Sequence, residues 1–118
     1  MKTDNSKIDF SREDLKREVK LPNKFTPNLA EEIGIVAGDG HLTTKKKDYG
    51  IIIAGHKIDD LDYHSYYIKS LFEKIYNITP HLRIEKKVNT LNLEIWSKAI
   101  FKFHNQLGFP RGKKKNKI

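Results

Sequence analysis

An α+β fold built on a four-stranded antiparallel sheet is predicted by the order of hydrophobic periodicities along residues 26–108. Read in sequence, the periods give α, β, β, α, β, β, α, and the alternating segments come in pairs short enough to close as hairpins. Size is the second observation: 118 residues, 37% apolar and 32% charged, suit one domain with a modest core. We read residues 1–25 as a polar arm or short helix, 26–108 as the core domain and 109–118 as a basic tail.

In the arm, Ser11 followed by Asp14 opens a short helix over 11–20, which Pro22 ends. Its regular apolar positions are Leu15 and Val19, too few to fold alone. The first core helix starts at Thr26 with Pro27 behind it, or at Asn28 with Glu31 as a capping box. Leu29, Ala30, Ile33, Ile35, Val36 and Ala37 cover too much of its circumference for a surface helix, so burial on more than one side is expected. Gly34 and Gly38 share one face, where a missing side chain admits another backbone. Asp39 stands where this helix must stop, with Gly40 letting the chain reverse.

From His41 the period changes to two. Residues 41–45 form a strand, 46–48 a turn and 49–55 an isoleucine-rich strand. Asp59 or Asp60 caps a second helix with Leu61, His64, Ile68, Leu71, Phe72 and Ile75 on its apolar face, and Asn77 stops it. Residues 81–87 alternate, with Leu82 and Ile84 inward; 88–90 turn; in 91–97 Leu91, Leu93 and Ile95 are inward. Ser97 caps the last helix, through Ala99, Ile100, Phe103 and Leu107, with Gly108 beyond its end.

Lysine and arginine total 23 against 15 acids, a formal charge of +8 with a pI near 9.6. Such a field attracts polyanions, nucleic acid first among them. Five of the cations lie in 111–118 without a compensating acid. No cysteine is present, which excludes disulfides and thiolate zinc sites and fits a reducing, cytoplasmic compartment. No apolar leader and no bilayer-length apolar run occur, so no membrane partner is expected. The histidines at 41, 56, 64, 81 and 104 lack zinc spacing, and no nucleophile elbow, phosphate loop or dinucleotide fingerprint occurs.

The polar face of the sheet should display His41, Thr43, Lys45, Arg83, Lys87, Asn92, Glu94 and Trp96, with Lys47 at the turn and odd-numbered positions around Tyr49. Long donors, amides and an indole on a two-stranded ribbon can reach base edges in a major groove. Asp39 is the candidate metal ligand. The helix dipole disfavours an acid at a helix C-terminus, and a hard cation such as Mg²⁺ would relieve that cost.

Glu32-Ile33-Gly34-Ile35-Val36-Ala37-Gly38-Asp39-Gly40 resembles, without a gap, the signature of the LAGLIDADG homing endonuclease family. Gly34, Asp39 and Gly40 match the helix glycine, the penultimate acid and the last glycine. Ala37 replaces the first acid, and Gly38 stands where alanine is frequent. The αββαββα order, Gly55-His56-Lys57, Ile95-Trp96-Ser97-Lys98 and Gly108-Phe109-Pro110-Arg111-Gly112-Lys113 extend the likeness over residues 26–113. The resemblance implies a homodimer packed through Gly34 and Gly38, with a saddle-shaped sheet on a long, near-palindromic double-stranded DNA site. It implies that Asp39 and the Gly38 carbonyl hold Mg²⁺, with Mn²⁺ an alternative, for phosphodiester hydrolysis. It also implies that His56 and Lys57, and more weakly Lys98, assist at strand ends. A non-catalytic DNA-binding regulator or an RNA maturase on the same fold are the alternatives.

Overall fold

A computed structural model describes residues 4–56 and 58–109. Lys57 and the basic tail from Pro110 onward lie outside the described residues. A short helix α1 (Arg12–Lys16) precedes α2 (Pro27–Asp39), β1 (Gly40–Lys45) and β2 (Asp48–His56). The chain then enters a π-helical segment (Tyr63–Ile68) that continues as α3 (Lys69–Tyr76), followed by β3 (His81–Ile84), β4 (Thr90–Trp96) and α4 (Lys98–Gln106). The strands form one antiparallel sheet in the order β1-β2-β4-β3. Each hairpin thus contributes an edge strand, and β2 pairs with β4 at the centre.

Alternation divides the sheet into two faces. Leu42, Ile51, Ile53, Leu91, Leu93 and Ile95 point to the helices and are fully buried with Leu29, Val36, Ile68, Phe72, Tyr76, Ile100 and Phe103. Burying such side chains contributes about 1.5–3 kcal/mol each, so this layer dominates the stability.

Local cap chemistry sets most element boundaries. The Thr26 side chain accepts from the Leu29 amide with Pro27 at the first helical position, so the alternative start at Asn28 is not used. Ser97 caps α4 through the Ile100 amide, and Gly108 follows its end at φ +113°. Asn77, at φ 58°, closes α3 in the left-handed region.

Several boundaries differ from the sequence reading. Helix α1 ends at Lys16 rather than near Lys20, because Glu18 turns left-handed at φ 58°. Leu15 is consequently 65% exposed while Val19 is buried. Gly40 is not a reversal point: at φ −113° and ψ 167° it is extended, and the chain runs straight from α2 into β1. Its missing side chain matters for packing instead, since a Cβ there would lie 3.1 Å from the Val36 Cα. Strand β3 stops at Ile84, and Lys86–Asn89 bend away from the sheet. The helix before Asn77 opens in a π-helical turn, which a 3.6-residue period does not reveal.

The N-terminal segment is docked rather than free. The fully buried Asp14 carboxylate accepts from the amides of Ser11 at 3.1 Å and Ala99 at 2.9 Å, capping α1 and α4 together. Arg17 donates to Asp14 and, at 2.7 Å, to the Trp96 carbonyl. The Lys20 amide donates to the Tyr76 carbonyl, and Asn77 to the Glu18 carbonyl. These bonds lock the chain entry to the β4–α4 joint and to the end of α3.

Candidate nucleic-acid interface

The sheet face turned away from the helices is concave, a trough of about 1130 Å³ with Gly38 and Asp39 on its rim. Strand register fixes its lining. His41 pairs with Ile52, Thr43 with Gly50 and Lys45 with Asp48; across the centre, Gly50 faces Trp96, Ile52 faces Glu94 and Ala54 faces Asn92; Arg83 pairs with Asn92. His41, Thr43, Lys45, Arg83, Asn92, Glu94 and Trp96 are therefore gathered on one surface, as expected.

Tyr49 is not on it. Lys46 and Lys47 alone separate paired Lys45 and Asp48, so odd positions of β1 face even positions of β2, and the odd-numbered expectation for β2 is inverted. Tyr49 instead packs edge-on against Phe101 at 5.0 Å beneath the Lys102 ammonium. The run Ile51-Ile52-Ile53 hid this parity, being apolar on both faces. Ile52 and Ala54 form the trough floor, which sequence reasoning missed. Lys87 is also displaced: it is exposed in the bend after β3 rather than on the sheet. Lys47 is exposed at the hairpin tip.

The polar side chains of the trough are partly organised by one another. Glu94 accepts from Arg83 at 3.3 Å and from the Trp96 indole at 3.0 Å, and its side chain is only 11% exposed. Trp96 packs against Gly50, where a Cβ would approach the indole to 2.5 Å. The indole is thus pinned by a carboxylate on one edge and a glycine beneath, presenting its outer surface to the trough. Lysines and arginines in the lining (Lys45, Lys46, Arg83) are balanced by Asp39, Asp48 and Glu94. Positive charge is concentrated toward the β1–β2 hairpin.

Asp39 is exposed at the other end, on the last residue of α2. Last-turn carbonyls such as that of Gly38 lack intrahelical donors. An acid beside them costs roughly 0.3–1 kcal/mol unless a cation is near. No cluster of three or more metal-binding side chains occurs among the described residues. Among the described residues, Asp39 and a neighbouring carbonyl are what this helix end could offer a hard cation, less than a full oxygen site.

Because Gly40 pairs with Ile53, the end of β2 returns to the Asp39 end of the sheet, bringing His56 with it. His56 is committed to structure: Nδ1 accepts from the amides of Ile58 and Asp59, and its own amide donates to Asp60 at 2.6 Å. An accepting Nδ1 carries no proton, so its 3.6 Å approach to the Asp59 carboxylate is not an ion pair. Lys98 lies at the end of the sheet opposite to Asp39. β4 runs from Thr90, opposite His56, to Trp96, opposite Gly50, and delivers Lys98 near the hairpin.

The outward face of α2 exposes Ala30, Gly34, Ala37 and Gly38, and a Cβ on either glycine would meet nothing within 4 Å. Expected burial on more than one side is thus not met within a single chain. Tyr63 and Tyr67 stack nearby at 5.4 Å, and Tyr67 donates to Glu31. Burial, then the charges of Glu31, Asp39 and Asp60, raise the Tyr63 phenol above its ordinary value. The bond to Glu31 raises Tyr67 likewise.

A third carboxylate of α2, Glu32, stands inside the signature-like stretch, where sequence reasoning missed its role. It is fully buried, accepting from the Tyr76 hydroxyl and meeting His104 Nε2 at 2.6 Å. His104 Nδ1 donates to the Ile100 carbonyl at 2.9 Å, so one further proton is shared between Glu32 and Nε2 and the pair is neutral overall. This network joins α2, α3 and α4, and none of its three residues lines the trough.

Compared with protein-family models and with curated protein sequences, the chain matches none. No helix among the described residues is long and apolar enough to cross a membrane.

Proposed function

We propose that this chain is a single-motif, LAGLIDADG-type DNA endonuclease that works as a homodimer with Mg²⁺. The observation that carries the reading is Asp39: an exposed carboxylate at a helix end, on the rim of a concave sheet face lined with donors and acceptors of a kind that can reach base edges. The adjoining face of α2, exposed and built of small residues, supports close packing against a second copy, which would bring two Asp39 carboxylates together. That pairing would complete the half-site each chain supplies, with water and phosphate as the remaining ligands.

Asp39 and the Gly38 carbonyl would hold the ion, which when bound supplies charge stabilisation at the phosphoryl group and a more acidic water. The trough residues hold the duplex in register, so that hydrolysis forms a bond from water oxygen to phosphorus and breaks the bond to the 3′ oxygen. Glu94, fixed by Arg83 and Trp96, suits acceptance from cytosine N4, and Asn92 suits adenine. Burial of the Glu32–His104–Tyr76 network leaves it a structural part.

A non-catalytic DNA-binding regulator is the second reading, favoured by Ala37 in place of the first acid and by the lone carboxylate per chain. Incubating wild type and Asp39→Asn with a randomised duplex library and Mg²⁺, then sequencing bound and cut molecules, separates the two. The endonuclease yields cut, near-palindromic sites lost in the variant. Bound but uncut sites support the regulator, and no enrichment at all refutes both. Gly34→Leu tests the interface: open space around Gly34 lets one chain accept leucine, so sedimentation should show a folded monomer. A dimer unaffected by the substitution would remove α2 from the contact.

A further inference from the structure

Beyond the end of β4 a second recess, of about 530 Å³, opens between α1, the β1–β2 hairpin and the start of α4. Trp96 and Asp48 line both this recess and the trough, so the two are one continuous surface past the hairpin end. Arg12, Lys47 and Lys98 converge on it from three different elements. None of these three side chains has an ion-pair partner among the described residues, whereas Glu13 on the same wall approaches Lys16 at 3.9 Å. Asp48 on the same lining is one acid against these three cations, so like charge is left in excess there, which costs free energy.

The geometry points to a phosphate clamp: Arg12, Lys47 and Lys98 grip the backbone of a nucleic-acid duplex where it leaves the outer end of the trough. This rests on the DNA-binding reading above and extends it to the N-terminal segment. The trough itself is charge-balanced, so sequence-independent binding energy must come from its surroundings. Arg17 serves as a positioning residue: its guanidinium is spent on Asp14 and the Trp96 carbonyl, which fixes α1, and with it Arg12, beside β4. Asp14 adds the second tie through the Ala99 amide, so Arg12 and Lys98 are held to one rigid joint.

Binding of mixed-sequence duplexes of about 30 and about 12 base pairs, titrated across salt concentrations, tests the clamp. The Arg12→Ala/Lys98→Ala variant is compared with Lys20→Ala/Lys74→Ala, which removes equal charge beside a separate recess between residues 20–28 and α3. Melting curves verify that both fold. For the long duplex we expect the first variant to bind roughly tenfold more weakly, with a salt slope shallower by about two. The second variant should stay within about twofold of wild type, and the short duplex should distinguish none of the proteins. Equal losses in both variants would reduce the effect to net charge, and an unchanged first variant would remove the recess from the interface; either overturns the clamp alone. Failure of the wild type to bind either duplex would overturn the DNA-binding reading and the clamp with it.

Discussion

Asp14 and Glu32 are fully buried, and Asp39 is exposed. The first two show how this chain treats a structural acid. Asp14 collects two amides and a guanidinium, and Glu32 collects a phenol and an imidazole. Each bridges elements distant in sequence, across 85 residues for Asp14 to Ala99 and 72 for Glu32 to His104. Among the described residues Asp39 has no such partners, and it sits in an unfavourable helix-end field. On this contrast rests the proposal that Asp39 serves a cation rather than the fold.

The contrast breaks most visibly at Glu32. Glu32→Ala strands a buried imidazole and phenol, and should cost about 3–5 kcal/mol in denaturant unfolding. Glu32→Gln, which still accepts from Tyr76, should cost less. A loss in the alanine variant no larger than at an exposed site would mean the network contributes nothing.

Asp14→Ala removes the shared cap of α1 and α4 and leaves the Ala99 amide buried without its acceptor. A loss of about 2 kcal/mol is expected, with a blue or red shift in the emission of Trp96, the only tryptophan, as Arg17 releases its carbonyl. An unshifted spectrum would show that α1 does not hold the β4–α4 joint.

A smaller effect appears at alkaline pH. Burial first, then the charge and hydrogen bond of Glu32, raise the Tyr76 phenol well above its ordinary value. The folded chain therefore keeps a proton that the unfolded chain releases near pH ~10. The stabilisation is complete below that pH and is lost as pH rises through and beyond it. Unfolding free energies measured either side should fall more steeply for wild type than for Tyr76→Phe, and parallel curves would refute this.

Much of the fold is legible in sequence because its signals are local. Thr26-Pro27, Ser97, Asn77 and Gly108 each mark a helix end by their own chemistry, and the alternation of Leu91, Leu93 and Ile95 directs one strand face inward. What sequence did not disclose depends on register and distance. The side on which Tyr49 lies is set by a two-residue loop and masked by three consecutive isoleucines. Asp14 and Glu32 read as ordinary helix acids, since their partners lie far along the chain. The π-helical turn that seats His64 beneath Gly55 leaves no periodic trace; a Cβ on that glycine would come within 2.5 Å of the imidazole. The trough residues were largely identifiable, whereas the recess beside α1 required knowing where the N-terminal segment docks.

The most direct measurement sets Asp39→Asn against wild type on a duplex recovered from the cleavage selection, following cutting, binding and melting together. The account predicts cutting reduced by at least about a thousandfold, binding within about tenfold and stability within about 0.5 kcal/mol. Cutting that survives the substitution, or a collapse in stability like that expected for Glu32→Ala, would contradict the assignment of Asp39 as the functional acid.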